Sequence, residues 1–262
     1  SKTMRGSGRE DSQALHIVSA WSKEDGICLG QVTTQEKSNE ITAIPELLKM
    51  LNISKHIVTI DAMGTQVEIA QQIISQKGQY VLAVKGNQGT MYQDLIEYFA
   101  IEEEREKIKD QGGYKRTTEK KRSQIETREY YQTDSIKWLE GRERWSKLKS
   151  IGMVKTTIEK DGEKREERRY YISSLGTNID ELARAVRGHW AIESMHWQLD
   201  VTFREDHNQT VDKRANENLN IIRKWCLSML KLLDMGKPYS MKIKRYMICC
   251  KPEQYFPDIL ML

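Results

Sequence analysis

The sequence predicts a mixed α/β fold, and three observations lead to that class. Apolar, β-branched runs alternate with amphipathic segments over the first hundred residues, as is typical of parallel strands covered by helices. Strand-like runs follow one another between residues 120 and 174, and helical periodicity returns after that. We therefore expect an α/β core that is interrupted by a small antiparallel β-rich segment before the last helices.

The composition favours a soluble, folded protein with a heavily charged surface. Of the 262 residues, 38% are hydrophobic and 31% are charged, and 42 basic against 38 acidic residues give a net charge of +4. This mild basic bias is compatible with a nucleic-acid partner without demonstrating one. No apolar run approaches the ~18 residues of a membrane helix, and no signal-peptide core follows the first residues. We expect a cytoplasmic protein with no membrane partner.

Four cysteines argue against two classes of small stabilised domain. Cys28, Cys226, Cys249 and Cys250 form no Cys-x-x-Cys pair. A disulfide framework and a zinc ribbon are therefore disfavoured, and reduced thiols are the simpler interpretation.

The first elements follow from hydrophobic patterning in chain order. Residues 15–21 and 27–34 have the composition of strands, and the short polar turn between them predicts a hairpin. Apolar residues at helical spacing predict a helix from Ile41 to Leu51, with Ser38 and Asn39 as candidate caps.

The next elements alternate strand and helix. Ile57–Asp61 is a β-branched run that ends in an acid, and Tyr80–Val84 is a second apolar run. Helical spacing lies between them, from Val67 to Ile74, and again from Thr90 to Glu106. This alternation predicts parallel strands that are covered by helices.

The middle of the chain changes character. Residues 102–129 contain nine basic and eight acidic residues, a mixture that predicts a solvated, flexible surface excursion. Strand candidates follow at 125–133, 152–160 and 168–173. The Asp161-Gly162 pair between the last two is a strong hairpin signal.

The end of the chain is predicted to be helical and then irregular. One helix begins near Asn178 or Asp180 and runs past Trp197, and a second covers about 216–233 before Gly236. Three prolines in the last 25 residues predict an irregular tail. The expected segments are 1–106 and 175–236 for the two parts of the core, 107–174 for the β-rich insertion and 237–262 for the tail.

Asp61 is the first candidate for chemistry. Ligands gather at the carboxyl edge of open parallel sheets, and Asp61 lies at the end of a strand there. The same position also suits an acid that caps the following helix, and this evidence alone leaves both interpretations open.

Residues 187–200 form the stretch richest in chemistry. On a helix, side chains at intervals of three, four and seven residues share one stripe. The members of this stripe are His189, Glu193, His196 or Trp197, and Asp200.

A core-facing aromatic helix is the alternative interpretation of this stretch. It accounts for Trp190 and Trp197 as core residues, but we expect a buried Glu193 to need a charged partner. Converging carboxylates favour Mg²⁺ or Mn²⁺, whereas zinc is disfavoured because no His-Glu-x-x-His occurs. The segment Lys85–Gly89 follows a strand and suits either a phosphate or a simple turn.

In combination, these motifs resemble one family. The chain is similar to the DDE transposases of bacterial insertion sequences, in the ISAs-type or H-repeat-associated branch. The matching motifs are Lys2-Thr3-Met4-Arg5-Gly6-Ser7, Ile60-Asp61-Ala62-Met63, Val84-Lys85-Gly86-Asn87-Gln88, and the run from His189 to Asp206.

The resemblance implies an RNase H-like catalytic domain that cleaves and joins DNA at transposon ends, as a homo-oligomer on DNA and with two Mg²⁺ or Mn²⁺ ions. By position, Asp61 and Glu193 correspond to the second and third metal-binding acids. Asp200 and Glu205 are candidate accessory acids. Candidate DNA contacts are Lys2, Arg5, Lys85, Arg187, His189 and Arg204.

The chain departs from the family pattern at its start. The first catalytic Asp of the family would precede Ser1, together with the first core strand, and Asp11 does not end a buried strand that could replace it. We therefore expect this chain to lack one metal ligand, which weakens metal affinity and catalysis and leaves open whether the chain is active as given. The alternative is a repurposed relic that binds DNA without cutting it.

Overall fold

The computed structural model describes residues 1–4, 7–8, 14–34, 40–121 and 123–261. Five residues named above lie outside this part of the chain: Arg5, Gly6, Asp11, Ser38 and Asn39. The chain divides into two compact units. One comprises Ser1–Leu51 with Trp190–Leu262, called here the terminal unit, and the other comprises Asn52–His189, called the central unit.

The terminal unit contains a three-stranded antiparallel sheet. Its strands are β1 (Lys2–Thr3), β2 (His16–Ser22) and β3 (Ile27–Thr34), in that order. The predicted hairpin is thereby confirmed as β2–β3. Helix α1 (Glu40–Lys49) buries an apolar face against Val18 of β2, so that hydrophobic burial holds the helix on the hairpin.

Helices complete the terminal unit. They are the second half of α5 (Ile179–Val201), then α6 (Lys213–Leu232), α7 (Met241–Cys250) and α8 (Pro252–Leu260). Met195 and Leu199 of α5 pack on Leu227 of α6, and all three side chains are fully buried. Both predicted closing helices are confirmed.

The tail is helical, so the prediction of an irregular tail is wrong. Pro252 occupies the start of α8, where a missing N–H breaks no helical hydrogen bond. The ammonium of the buried Lys244 on α7 donates to the carbonyls of Leu230 and Leu233, at 2.7 Å and 2.6 Å. These bonds satisfy carbonyls at the end of α6 that lack helical partners.

A six-stranded sheet forms the centre of the second unit. Its order is β4-β5-β9-β8-β7-β6. The strands are β4 (Ile57–Ile60), β5 (Gln79–Val84), β6 (Tyr114–Lys121), β7 (Gln124–Thr133), β8 (Ser150–Lys160) and β9 (Glu163–Ser173). Strands β4 and β5 are parallel as predicted, and β5 pairs antiparallel with β9. The β-rich segment therefore extends the sheet that contains β4 and β5.

Three helices cover parts of the central unit before β6: α2 (Val67–Ser75), α3 (Thr90–Ala100) and α4 (Glu102–Asp110). The single helix predicted over Thr90–Glu106 is wrong, because the backbone turns to an extended conformation at Ile101. Arg105 compensates for the break by donating to the carbonyl oxygens of Phe99 and Ala100, at 2.6 Å and 2.8 Å.

The charged stretch 102–129 is regular structure, so the prediction of a flexible excursion is wrong. It forms α4, β6 and most of β7. The strand pairing sets Arg116 opposite Glu129 and brings Arg128 within 3.4 Å of Glu119. Opposite charges across neighbouring strands stabilise a sheet, which a count of charges along the chain does not show.

The β8–β9 hairpin turns at Asp161 and Gly162, as predicted. Both residues have positive φ, 52° and 86°, as a two-residue turn of the I′ type requires. Leu182 and Val186 of α5 pack on the sheet beside Val154. The predicted mixed α/β class, with an antiparallel segment before the closing helices, is confirmed.

No helix among the described residues combines the length and the apolar character needed to cross a membrane.

One prediction follows from a close approach in the central unit. A Cβ atom added to Gly113 would lie 2.2 Å from the carbonyl oxygen of Gln132, a backbone atom that cannot move freely. We expect Gly113→Ala to lower the free energy of unfolding by about 1–3 kcal/mol, measured by chemical denaturation. Gly176→Ala is the control, because a Cβ there meets no atom within 4 Å. Equal stabilities of the two variants would contradict the prediction.

Candidate active site

Asp61 directly follows β4, at the carboxyl end of the parallel β4–β5 pair, and it is exposed. Its Oδ1 accepts a hydrogen bond from the backbone N–H of Gly64 at 3.3 Å. Helix α2 begins six residues later with Gln66 as its N-cap. Asp61 therefore does not cap that helix.

The loop after β4 is held by side chains that sequence reasoning did not assign. Thr65 Oγ1 lies 2.7 Å from the carbonyl oxygen of Ala83 on β5. The side-chain amide of Asn87 donates to the carbonyl of Ala62 at 2.7 Å, and that of Gln88 donates to the carbonyl of Thr65. Because three side chains fix its backbone, this loop presents its acid in one defined position.

The cations predicted near this edge have different surroundings. Lys85 follows β5 and is exposed. Arg187 donates from Nη2 to both carboxylate oxygens of Glu119, at 3.0 Å and 3.3 Å. His189 Nδ1 is hydrogen-bonded to Thr59 Oγ1 at 3.1 Å, which ties this part of α5 to β4 within the central unit.

Glu193 is exposed on α5, so the prediction that it is buried is wrong. The inward side of the helix is defined by Met195 and Leu199, both fully buried. Successive helical residues are about 100° apart, so Glu193 lies on the opposite side. Exposure leaves its carboxylate accessible to solvent and to ligands.

Trp197 is 61% exposed, so its assignment to the core is also wrong. It lies one turn beyond Glu193 and on the same outward side of the helix. Trp190 is half-buried. The apolar character of a tryptophan predicts burial, but the packing of Met195 and Leu199 decides which way the helix faces.

Lys2 neutralises a cluster of acids in the terminal unit. Its ammonium is paired with Asp200, with Glu205 at 2.9 Å and with Asp206 at 3.4 Å. The family resemblance implies a contact of this cation with DNA phosphate, whereas here it is bound to three carboxylates. The structure therefore brings both predicted accessory acids, Asp200 and Glu205, to one lysine.

Glu205 is the most deeply buried member of this cluster, with 1% of its side chain exposed. Its Oε1 accepts from the side-chain amide of Asn220 at 2.9 Å and lies 3.5 Å from Arg223 on the same helix, α6. Arg204, immediately before it, is exposed and has a left-handed backbone with φ of 52°.

Two further bases are influenced by the charge of Lys2: the half-buried His196 and the buried Lys224. Burial lowers the pKa of His196 to about 3, and the charges of the Ser1 amine, Lys224 and Lys2 act in the same direction. Burial also lowers the pKa of Lys224 to about 8, although its ammonium bonds Ser19 Oγ at 2.6 Å and Gln31 Oε1 at 2.7 Å. His196 is therefore neutral at pH 7, which suits a structural role better than a charged contact.

The donor chemistry of the two candidate acids suits a hard cation. Asp61 and Glu193 present exposed carboxylate oxygens, the ligands that Mg²⁺ and Mn²⁺ prefer. They belong to different units. Over the described ranges, no group of three or more His, Cys, Asp or Glu side chains is arranged to hold a metal ion.

Comparisons with known proteins give a consistent set of relatives. A family profile described as "Transposase DDE domain" matches residues 1–229. "Putative transposase YncI" of Escherichia coli O157:H7 is 40% identical over 237 residues, which cover 88% of this chain and 60% of that protein. "H repeat-associated putative transposase YhhI" of Escherichia coli K12 is 36% identical over 226 residues, which cover 83% of this chain and 58% of that protein. The chain thus spans about 60% of the length of these curated relatives.

Among solved structures, a cryo-EM structure of the piggyBac transposase synaptic complex with hairpin DNA is similar with a TM-score of 0.47 and 11% identity. The match covers 88% of this chain and 44% of that one. This likeness is too low to support a conclusion about fold or function.

The burial of His196 predicts a pH dependence of stability. Its pKa is lower in the folded protein than the ordinary value of 6.5, so the unfolded chain takes up a proton first as pH falls. The contribution of neutral His196 to the free energy of unfolding is therefore complete above pH 6.5 and is lost as the pH falls from 6.5 to about 3. From pH 7 to pH 5 we expect the parent protein to lose about 2 kcal/mol more than His196→Gln, measured by denaturant unfolding.

His207→Gln is the control for this measurement, because His207 is an exposed histidine of the same unit. It should follow the pH profile of the parent protein. A His196→Gln profile parallel to the parent would show that His196 is not responsible.

The acid cluster around Lys2 predicts a large stability effect. Lys2→Met would leave three carboxylates near one another without their cation, and we expect a loss of about 3 kcal/mol in unfolding free energy. Lys2→Arg keeps the charge and should retain most of that stability. The exposed Lys237→Met should change it by less than about 0.5 kcal/mol. A Lys2→Met protein as stable as Lys237→Met would contradict the assignment.

Proposed function

This chain belongs to the transposase DDE-domain family, and we propose that it acts in the metal-dependent cleavage and joining of DNA strands at the ends of an insertion sequence. Asp61 and Glu193 are the proposed metal ligands. DNA is the proposed partner. Since two transposon ends must be held together, we further propose that copies of the chain assemble on DNA.

One observation carries the proposal. The family match over residues 1–229 includes both acids, and each of them is exposed: Asp61 directly after β4 and Glu193 on α5. Exposed acids on rigid elements are suited to binding a cation. The side chains that hold the loop after β4 support this role, because a metal ligand must keep a constant position.

The cation and the residues of the chain have separate tasks. A bound Mg²⁺ or Mn²⁺ supplies activation of the attacking oxygen and stabilisation of the leaving one. Lys85 and Arg204 are exposed cations and are the proposed contacts to DNA phosphates. Arg187 is occupied by Glu119, so we propose that it positions α5 on β6. Arg5 keeps its predicted place among the DNA contacts.

The proposal is tested by nicking of supercoiled plasmid in Mn²⁺ and in chelator. We expect nicking that depends on the metal and falls at least ~100-fold in Asp61→Asn and in Glu193→Gln, because losing a ligand exceeds the effect of losing its supporting contacts. Binding of Mn²⁺, followed by its electron paramagnetic resonance signal, should weaken in both variants.

Asp134→Asn is the matched control, because Asp134 is also an exposed acid that directly follows a strand, β7. It should nick and bind Mn²⁺ like the parent protein. Nicking that survives chelation, or equal Mn²⁺ binding by the parent, Asp61→Asn and Glu193→Gln, would contradict the proposal.

A further inference from the structure

The outward side of α5 carries a tryptophan that the core does not use. Trp197 is 61% exposed, and its neighbours along this side are Glu193, one turn before it, and Val201, one turn after it. Across the described residues no hydrogen bond or ring contact to the Trp197 side chain is found. A large aromatic ring left in water forgoes a considerable hydrophobic gain, so it is available to stack on a partner group.

The ring lies beside the carboxylate of the proposed reaction. Residues four apart on a helix are separated by about 40° around the axis and by about 6 Å along it. A ligand bound at Glu193 is therefore within reach of Trp197. The relation is local to one helix within the terminal unit, so it does not depend on the position of any other element.

We propose that Trp197 stacks on an unpaired base of the DNA strand whose phosphate is handled at Glu193. This inference rests on the proposed function and adds a substrate contact to it. In a nucleotide, one sugar separates phosphate from base, so a phosphate at Glu193 places a base one helical turn away. Aromatic side chains bind bases by stacking, with little regard to their identity.

A protein partner is the competing occupant, and the position of the ring argues against it. A protein surface that covered Trp197 would also cover Glu193, only one turn away, and would block the carboxylate that the reaction needs. A stacked base does not block the carboxylate, because the phosphate of the same nucleotide is the group handled at Glu193. Trp197 is thus a residue that touches substrate.

The test compares binding of two DNA probes at constant salt, with Ca²⁺ in place of Mg²⁺. The first is a labelled short duplex with a single-stranded tail, and the second carries abasic sites throughout that tail. Fluorescence anisotropy should show that Trp197→Ala binds the first probe about tenfold more weakly than the parent protein. Trp197→Phe keeps an aromatic face and should retain most of the affinity. On the abasic probe, the parent and Trp197→Ala should bind equally.

Trp225→Ala is the matched control, because Trp225 is 63% exposed on α6 of the same unit. It should bind both probes like the parent protein. Equal affinities of Trp197→Ala and the parent for the first probe would overturn the stacking role alone. The same conclusion would follow if Trp197→Ala lost as much affinity for the abasic probe as for the first probe. A parent protein that binds neither probe would overturn the proposed function as well. Melting temperatures of all variants separate loss of contact from loss of fold.

Discussion

The arrangement of the terminal unit depends on the buried carboxylate of Glu205, which needs a cation beside it. Removing a charge from water costs several kcal/mol unless a partner and hydrogen bonds replace the lost hydration. Glu205 meets this demand with Lys2, Asn220 and Arg223. These partners come from β1 and α6, so the two elements must stay beside the segment that follows α5. The pairing of Lys2 with Asp200 extends the same constraint to the last turn of α5.

Packing acts together with that constraint to set which side of α5 meets solvent. With its end tied to Lys2, the helix buries Met195 and Leu199 against Leu227 and leaves Glu193 and Trp197 outside. The exposed acid and the exposed ring are therefore consequences of packing on the other side of the helix. In the central unit, the loop that follows Asp61 fixes the position of this acid. There, side-chain amides from the segment after β5 fix the backbone beside the acid.

The sequence predicted the helices and strands better than it predicted the contacts between residues that are distant in the chain. Hydrophobic spacing located the β2–β3 hairpin and the parallel β4–β5 pair, and the Asp-Gly signal located the turn at Asp161 and Gly162, because each depends on residues close together in the chain. The charged stretch 102–129 was misread because its stabilising pairs lie across strands. The direction of Trp197 depends on α6, and the partners of Lys2 lie about two hundred residues away, so no local pattern could reveal them.

Lys244 has a practical consequence for the extent of the folded protein. The family match ends at residue 229, yet the last carbonyls of α6 are bonded to this ammonium on α7. Leu230 and Leu233 are likewise covered by residues of the last two helices, Ile248 and Tyr255. A shortened protein cut at the family boundary would expose this apolar cluster and release two carbonyls. Expression of the domain should therefore extend through α8, because the cooperative unit continues beyond the region that is recognisable by sequence.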